Sequence, residues 1–178
     1  MKNTWRILGA VVALSLAACE ENNDGGGGTT PGATCTGSFS GALTGNVRTC
    51  TVKAAKLANG QLQYTIEVEP ASGATVSSVS DVLIAVLGDA KTGTYSGTDV
   101  KEATSTVIST DGDKQYELQL GVGGETLGAA TLTLTAVPSA AVGPTQVEGF
   151  SGSAQIRYSA AADSGNTGTV DLSLTFKR

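Results

Sequence analysis

The sequence predicts an all-β domain of mainly antiparallel strands, and three observations carry that prediction. Apolar and polar residues alternate with period two over most of the chain after residue 35. The alternating runs are separated by Asn-Gly, Asp-Gly and glycine-rich segments suited to tight turns. No strand-then-helix alternation is present, so a parallel sheet with crossover helices is not expected.

The elements follow in order. Cys35, Phe39 and Leu43 share one face of the first segment, with Thr36, Ser38 and Ser40 on the other. Thr44-Gly45-Asn46 reads as the turn that follows, because Ala42-Leu43 is poor turn chemistry. After Asn59-Gly60, Leu62, Tyr64, Ile66 and Val68 alternate with Gln63, Thr65, Glu67 and Glu69. Val82–Leu87 is apolar on both faces and fits either a doubly covered strand or a short helix. Ser78 and Asp81 could cap such a helix, but Val79, Val82, Ile84 and Val86, with Gly88 close behind, favour the strand. Asp111-Gly112, between Val107-Ile108 and Tyr116, is the clearest hairpin signal. Four more alternating runs follow, led by Tyr116/Leu118/Leu120, Leu132/Leu134/Ala136, Phe150/Ala154/Ile156/Tyr158 and Val170/Leu172/Leu174/Phe176. Each has one dry and one wet face, and the wet faces are rich in serine and threonine. Eight to ten strands are expected within a single β domain over residues 35–178. They would be arranged as a two-sheet antiparallel sandwich, with a closed eight-strand β-barrel as the rival arrangement. A membrane-spanning barrel would call for aromatic girdles, and the few aromatics beyond Trp5 do not supply them.

The start of the chain differs in kind. Lys2 and Arg6 precede an apolar run from Leu8 to Ala18, shorter than the ~20 residues of a spanning helix. Its shape is that of a secretory signal peptide. Leu16-Ala17-Ala18-Cys19 then resembles the signal of bacterial lipoproteins. The resemblance implies cleavage of residues 1–18 and lipidation of Cys19, with a diacylglycerol on its thiol and an acyl chain such as palmitate on its new amine. Glu20 follows where enteric lipoproteins retained in the inner membrane carry aspartate, so the resemblance points to the outer membrane. Beyond the signal, the chain resembles uncharacterised, myxobacterium-like lipoproteins of Gram-negative bacteria, which implies a location and attaches no catalytic motif. Residues 19–34, with four consecutive glycines and no large apolar side chain, read as a flexible tether. Cys35 and Cys50 are the other two cysteines, and an even pair in an oxidising compartment reads as a disulfide. With the turn at Thr44-Gly45-Asn46 the two would be out of register, joining diagonal positions or separate strands.

Composition narrows the chemistry. The chain has no histidine, which removes the commonest acid–base and metal-binding side chain. Its formal charge is -5. From Cys19 onward it becomes -7, with nine basic against 16 acidic residues, so a nucleic-acid partner is not expected. Glu67 and Glu69 share one wet strand face, and Asp81, Asp89 and Asp99 bracket the apolar segment at strand ends. Neither set has the look of an opposed acid pair. Asp111-Gly112-Asp113, with Asp99 or Glu102 nearby, and the Asp163–Thr167 loop offer too few carboxylates for the six to eight oxygens calcium takes. Ser38 and Ser40 do not sit in a nucleophile motif, and Gly121–Glu125 lacks the Gly-Lys-Ser/Thr of a phosphate loop. Tyr95 is either an exposed aromatic for glycan or protein contact or an edge tyrosine packed inward. No catalytic, cofactor-binding or metal-ligating residue emerges, and no cofactor is expected. The expectation is a lipid-anchored, non-catalytic envelope β domain, structural or binding, held to the membrane by its N-terminal lipid. Its partner would be an envelope or extracellular protein or a glycan. Two alternatives are a barrel carrying a small apolar ligand, and an envelope protease inhibitor presenting the loop between Cys35 and Cys50.

Overall fold

The computed structural model of the protein describes residues 34–123, 126–161 and 164–178. The signal peptide over 1–18, the lipidation site Cys19 and the tether up to residue 33 lie outside the described residues, as does Asp163. Eleven strands are present: β1 (Thr34–Gly41), β2 (Gly45–Lys56), β3 (Gln61–Pro70), β4 (Val76–Val79), β5 (Val82–Leu87), β6 (Gly93–Ser96), β7 (Val100–Ser109), β8 (Gln115–Leu120), β9 (Ala129–Ala136), β10 (Ser151–Ala160) and β11 (Thr169–Lys177). A single 3-10 turn, Gly97–Asp99, joins β6 to β7. The apolar segment 82–87 is a strand, as its β-branched residues favour.

Eight strands close a ring in the order β1-β2-β3-β5-β7-β8-β10-β11, with every pairing antiparallel and β11 returning to β1. The other three hang on this barrel: β9 on β10, β6 on β9, and β4 on β7. The two architectures expected from the sequence meet here. Tyr64 of β3 touches both Tyr95 of β6 and Phe150 ahead of β10, with ring centroids 6.1 and 5.5 Å apart. Those elements are not sheet neighbours of β3, so the rings meet across the barrel interior, which eight strands leave just wide enough for side chains to fill.

Period-two alternation turns directly into burial. In β10, Ala154, Ile156 and Tyr158 point inward and are buried, while Gln155 and Arg157 are exposed. In β11, Val170, Leu172, Leu174 and Phe176 do the same. The barrel interior is filled by these side chains with Phe39, Leu62, Tyr64, Ile66, Val82, Ile84, Tyr116, Leu118 and Leu132. Where β9 crosses β10, the register shifts between Ser151 and Gly152. Only glycine fits there, since a Cβ at Gly152 would run into the Thr133 carbonyl oxygen.

The first hairpin departs from the sequence reading. Its loop is Ala42–Thr44, and Gly45-Asn46 begins β2 instead of forming the turn. Two long-range features override local turn chemistry. Leu43 is buried at 4% exposure, so the loop is tied to the core by its apolar residue. Gly41 holds φ at 96°, which an L side chain rarely adopts. The disulfide between Cys35 and Cys50 is formed, with Cα atoms 5.4 Å apart. Its register is restored by the irregularity in β2 at Val47/Thr49. Ser38 opposes Asn46 before that point, and the extra residue at Arg48 brings Cys50 opposite Cys35 after it. The bridge therefore joins facing positions of adjacent strands. It also holds a thin seam, since β1 and β2 share only the pairs Ser38–Asn46 and Phe39–Gly45. Farther along, the free edge of β2 is taken by the segment after β9: Ala54 exchanges two backbone hydrogen bonds with Val147, and the Lys56 amide donates to the Gly143 carbonyl.

Candidate functional site

The strand directions bring the last residue of β5, the start of β7 and the short strand β6 to one end of the barrel. A groove of about 220 Å3 opens there, lined by Leu87, Lys91, Thr94, Tyr95, Asp99 and Lys101. Leu87 is 60% exposed, and among the described residues it is the one large apolar side chain left in solvent. It ends the apolar run 82–87 at the edge of the β3–β5 pairing, opposite Gln61, the first residue of β3. Lys91 lies in the loop between β5 and β6, and Lys101 is the second residue of β7. Among the described residues neither lysine forms an ion pair, although the Lys101 ammonium donates to the Thr98 carbonyl at 2.6 Å. Asp89 close by is taken by Lys56, at 2.8 Å.

Tyr95 forms the floor of the groove. It is 6% exposed, so of the two roles open to it from sequence the inward-packed one holds. Its hydroxyl is latched to one residue: it donates to the Lys91 carbonyl at 2.9 Å and accepts from the Lys91 amide at 3.3 Å. Tyr64 stands behind it. All four tyrosines of the chain are buried. Tyr116 donates to the Thr167 carbonyl and Tyr158 meets Ser105 Oγ at 3.3 Å. Among the described residues the Tyr64 hydroxyl, at 0% exposure, makes no hydrogen bond of good geometry, although the Tyr95 oxygen lies near enough to act on it. Burial raises its pKa far above the ordinary tyrosine value, with the Tyr95 oxygen adding to the effect. It stays a neutral O–H whose desolvation is uncompensated, a cost of about 1–3 kcal/mol.

Two larger depressions lie on the walls among the described residues. One, of about 300 Å3, is lined by Thr49, Thr51, Glu67, Glu69 and Asp81, where β3 runs beyond its pairing with β5. Its carboxylates are already engaged: Glu67 with Lys53 and Thr51, and Glu69 with Arg48 and Thr49. The Lys53 bond, then the Thr51 hydroxyl, hold Glu67 below the usual carboxylate range. The other, of about 320 Å3, lies beside Ser80, Ser105 and Glu117 at the break between β4 and β5. The Asp111-Gly112-Asp113 turn is self-contained, because Asp111 accepts from the Ser109 hydroxyl and the Asp113 amide. No three His, Cys, Asp or Glu side chains group as metal ligands among the described residues. The segment between Cys35 and Cys50 is two strands and a three-residue turn with Leu43 tucked inward, not the projecting loop an inhibitor would present.

Of the aspartates noted from sequence, Asp99 lines the groove, Asp89 lies beside it in its pair with Lys56, and Asp81 lines a depression on the wall. Leu87, Lys91 and Lys101 were not singled out by sequence, and only the hydrophobic run ending at Leu87 hinted at an uncovered position. No protein-family model matches this chain, and no curated protein or solved structure matches it either.

Proposed function

We propose that the protein is a lipid-anchored, non-catalytic envelope domain whose closed barrel carries a small apolar ligand. The observation that carries this reading is the Tyr64 hydroxyl, fully buried in an apolar interior without a partner. Native structures seldom leave such a group unpaired, and a ligand with one acceptor atom would satisfy it. Eight-strand barrels suit the role, since their interior is just wide enough to be filled by side chains or to hold one small ligand. The described interior is filled, so uptake requires Tyr95 or Phe150 to move aside. Attachment rests on Cys19, the lipidation site implied by the signal sequence, and outer-membrane placement rests on Glu20.

Three experiments test this. Tyr64→Phe removes the unpaired oxygen, so the ligand-free domain is expected to gain up to about 1 kcal/mol in urea unfolding. Tyr158→Phe, which removes a made bond, is expected to lose about 0.5–1.5 kcal/mol. The fluorescent apolar probe N-phenyl-1-naphthylamine is expected to bind the wild type in equimolar ratio and to be displaced by dodecanol. No binding of probe or dodecanol would end the carrier reading. For the anchor, Cys19→Ser is expected to move the protein from the membrane to the soluble fraction; retention in the membrane would refute lipidation.

A further inference from the structure

We infer that the groove beside β6 is the ligand entrance, and that it selects an anionic amphiphile: a single apolar chain ending in a carboxylate or phosphate. The inference rests on the carrier reading and adds the ligand's class and its way in. Three features converge on one spot. Lys91 and Lys101 flank the groove with two ammonium groups. Leu87, the exposed large apolar side chain, lies beside them as a foot for a hydrocarbon chain. Tyr95 separates this groove from Tyr64, whose ring is 6.1 Å away and whose hydroxyl lacks a partner.

Size decides how the pieces act together. The groove's roughly 220 Å3 is below the ~300–1,000 Å3 of sites that engulf a drug-sized ligand. It suffices for a head group and the first part of a chain, and the rest must pass inward. Tyr95 is the residue in the way, and its latch sits on the same loop residue that offers an ammonium. A head group drawing on Lys91 would therefore pull at the backbone that holds the Tyr95 hydroxyl. Release of that latch would turn Tyr95 away and expose the Tyr64 oxygen. Asp99, also in the groove, sets the sign of selectivity. With two cations against one anion the site favours a single negative head and disfavours a cationic one.

The test uses the chain from Glu20 onward, since the barrel closes on itself within residues 34–178. Dodecanoate and dodecyl phosphate are compared with dodecanol and with inorganic phosphate, each displacing N-phenyl-1-naphthylamine. Both anionic chains are expected to bind at least about tenfold tighter than dodecanol, and inorganic phosphate not to displace the probe. Lys91→Ala/Lys101→Ala is expected to erase that tenfold preference while leaving dodecanol affinity unchanged, which also shows that the variant is folded. Tyr95→Phe, which removes the latch, is expected to speed probe association. Dodecanoate binding no tighter than dodecanol, or equally in the double variant, would overturn the entrance while leaving the carrier reading standing. Failure of every chain to bind would sink both. Sedimentation with phosphatidylglycerol vesicles without capture of monomeric dodecanoate would overturn the site in favour of simple docking on a bilayer.

Discussion

Replacing Cys35 and Cys50 together by serine is expected to lower the unfolding free energy by about 3 kcal/mol and the melting temperature by roughly 10 °C. The first part of that loss is chain entropy: a cross-link spanning 15 residues restricts the unfolded ensemble. The second part is specific to this barrel. Between β2 and β3 nine residues pair, eight of them in one unbroken register, but between β1 and β2 only two do. The bridge lies just past those two, on facing positions set by the irregularity at Val47/Thr49. It works as a clasp on the thin seam of the ring. The variant is therefore expected to show faster amide exchange along β1 and the first half of β2, with β2–β3 unchanged. Its denaturant m-value is expected to rise, because the uncross-linked denatured chain exposes more surface. A loss below about 1 kcal/mol, with uniform exchange, would mean the β1–β11 pairing and the buried Leu43 hold the seam without the clasp. Cys35 and Cys50 thus show what the sequence could convey: their pairing was legible from number and compartment, their register was not.

The same contrast runs through the molecule. β3, β8, β9, β10 and β11 were legible because each has one dry and one wet face; burial follows the alternation throughout β10 and β11 and departs from it at Thr65, Val68, Leu120 and Ala136. β5 was ambiguous because it lies between β3 and β7 with Ala85 buried on its outer side, which blurs the period. β4 and β6 span four residues each, too few for a period to show. Their addition takes the strand number past the expected eight to ten. Ring closure through β1–β11 and β8–β10 is non-local, so nothing within these segments announces it. The groove is hidden for the same reason. Lys91 and Lys101 are ten positions apart and meet only because β6 and the 3-10 turn fold back between them. The Tyr64 hydroxyl was invisible because an inward tyrosine reads as ordinary core; whether its oxygen finds a partner depends on which side chains face it across the barrel.

Phe150→Ala is expected to be more damaging still, at about 3–5 kcal/mol in equilibrium unfolding, a large share of the ~5–15 kcal/mol that holds a typical domain together. Phe150 is 3% exposed and meets Tyr64 edge to face, at 5.5 Å and 81°. Such a pair contributes about 0.5–1.5 kcal/mol beyond the area it buries. The residue also sits at a junction. Just before it, Val147 is bonded to the edge of β2; just after it, β10 begins its pairings with β9 and β11. Truncation therefore empties a space that two fixed backbone segments cannot close. Tyr95 is the neighbour able to move in, since it already contacts Tyr64 and depends on a single latch residue. If it does, the loss falls toward the lower figure and the Lys91 amide becomes exchange-labile. If it does not, the gap stays beside the unpartnered Tyr64 hydroxyl, a cavity apolar on its walls with one polar handle. That outcome carries a functional signature. A barrel that carries a ligand is then expected to bind N-phenyl-1-naphthylamine more tightly in Phe150→Ala than in the wild type, despite lower stability. Phe150→Leu, which refills most of the space, is expected to recover at least half of the lost stability and to return probe affinity to the wild-type level. A destabilisation under about 1 kcal/mol for the alanine variant would show that opposite walls of the barrel do not pack through this ring.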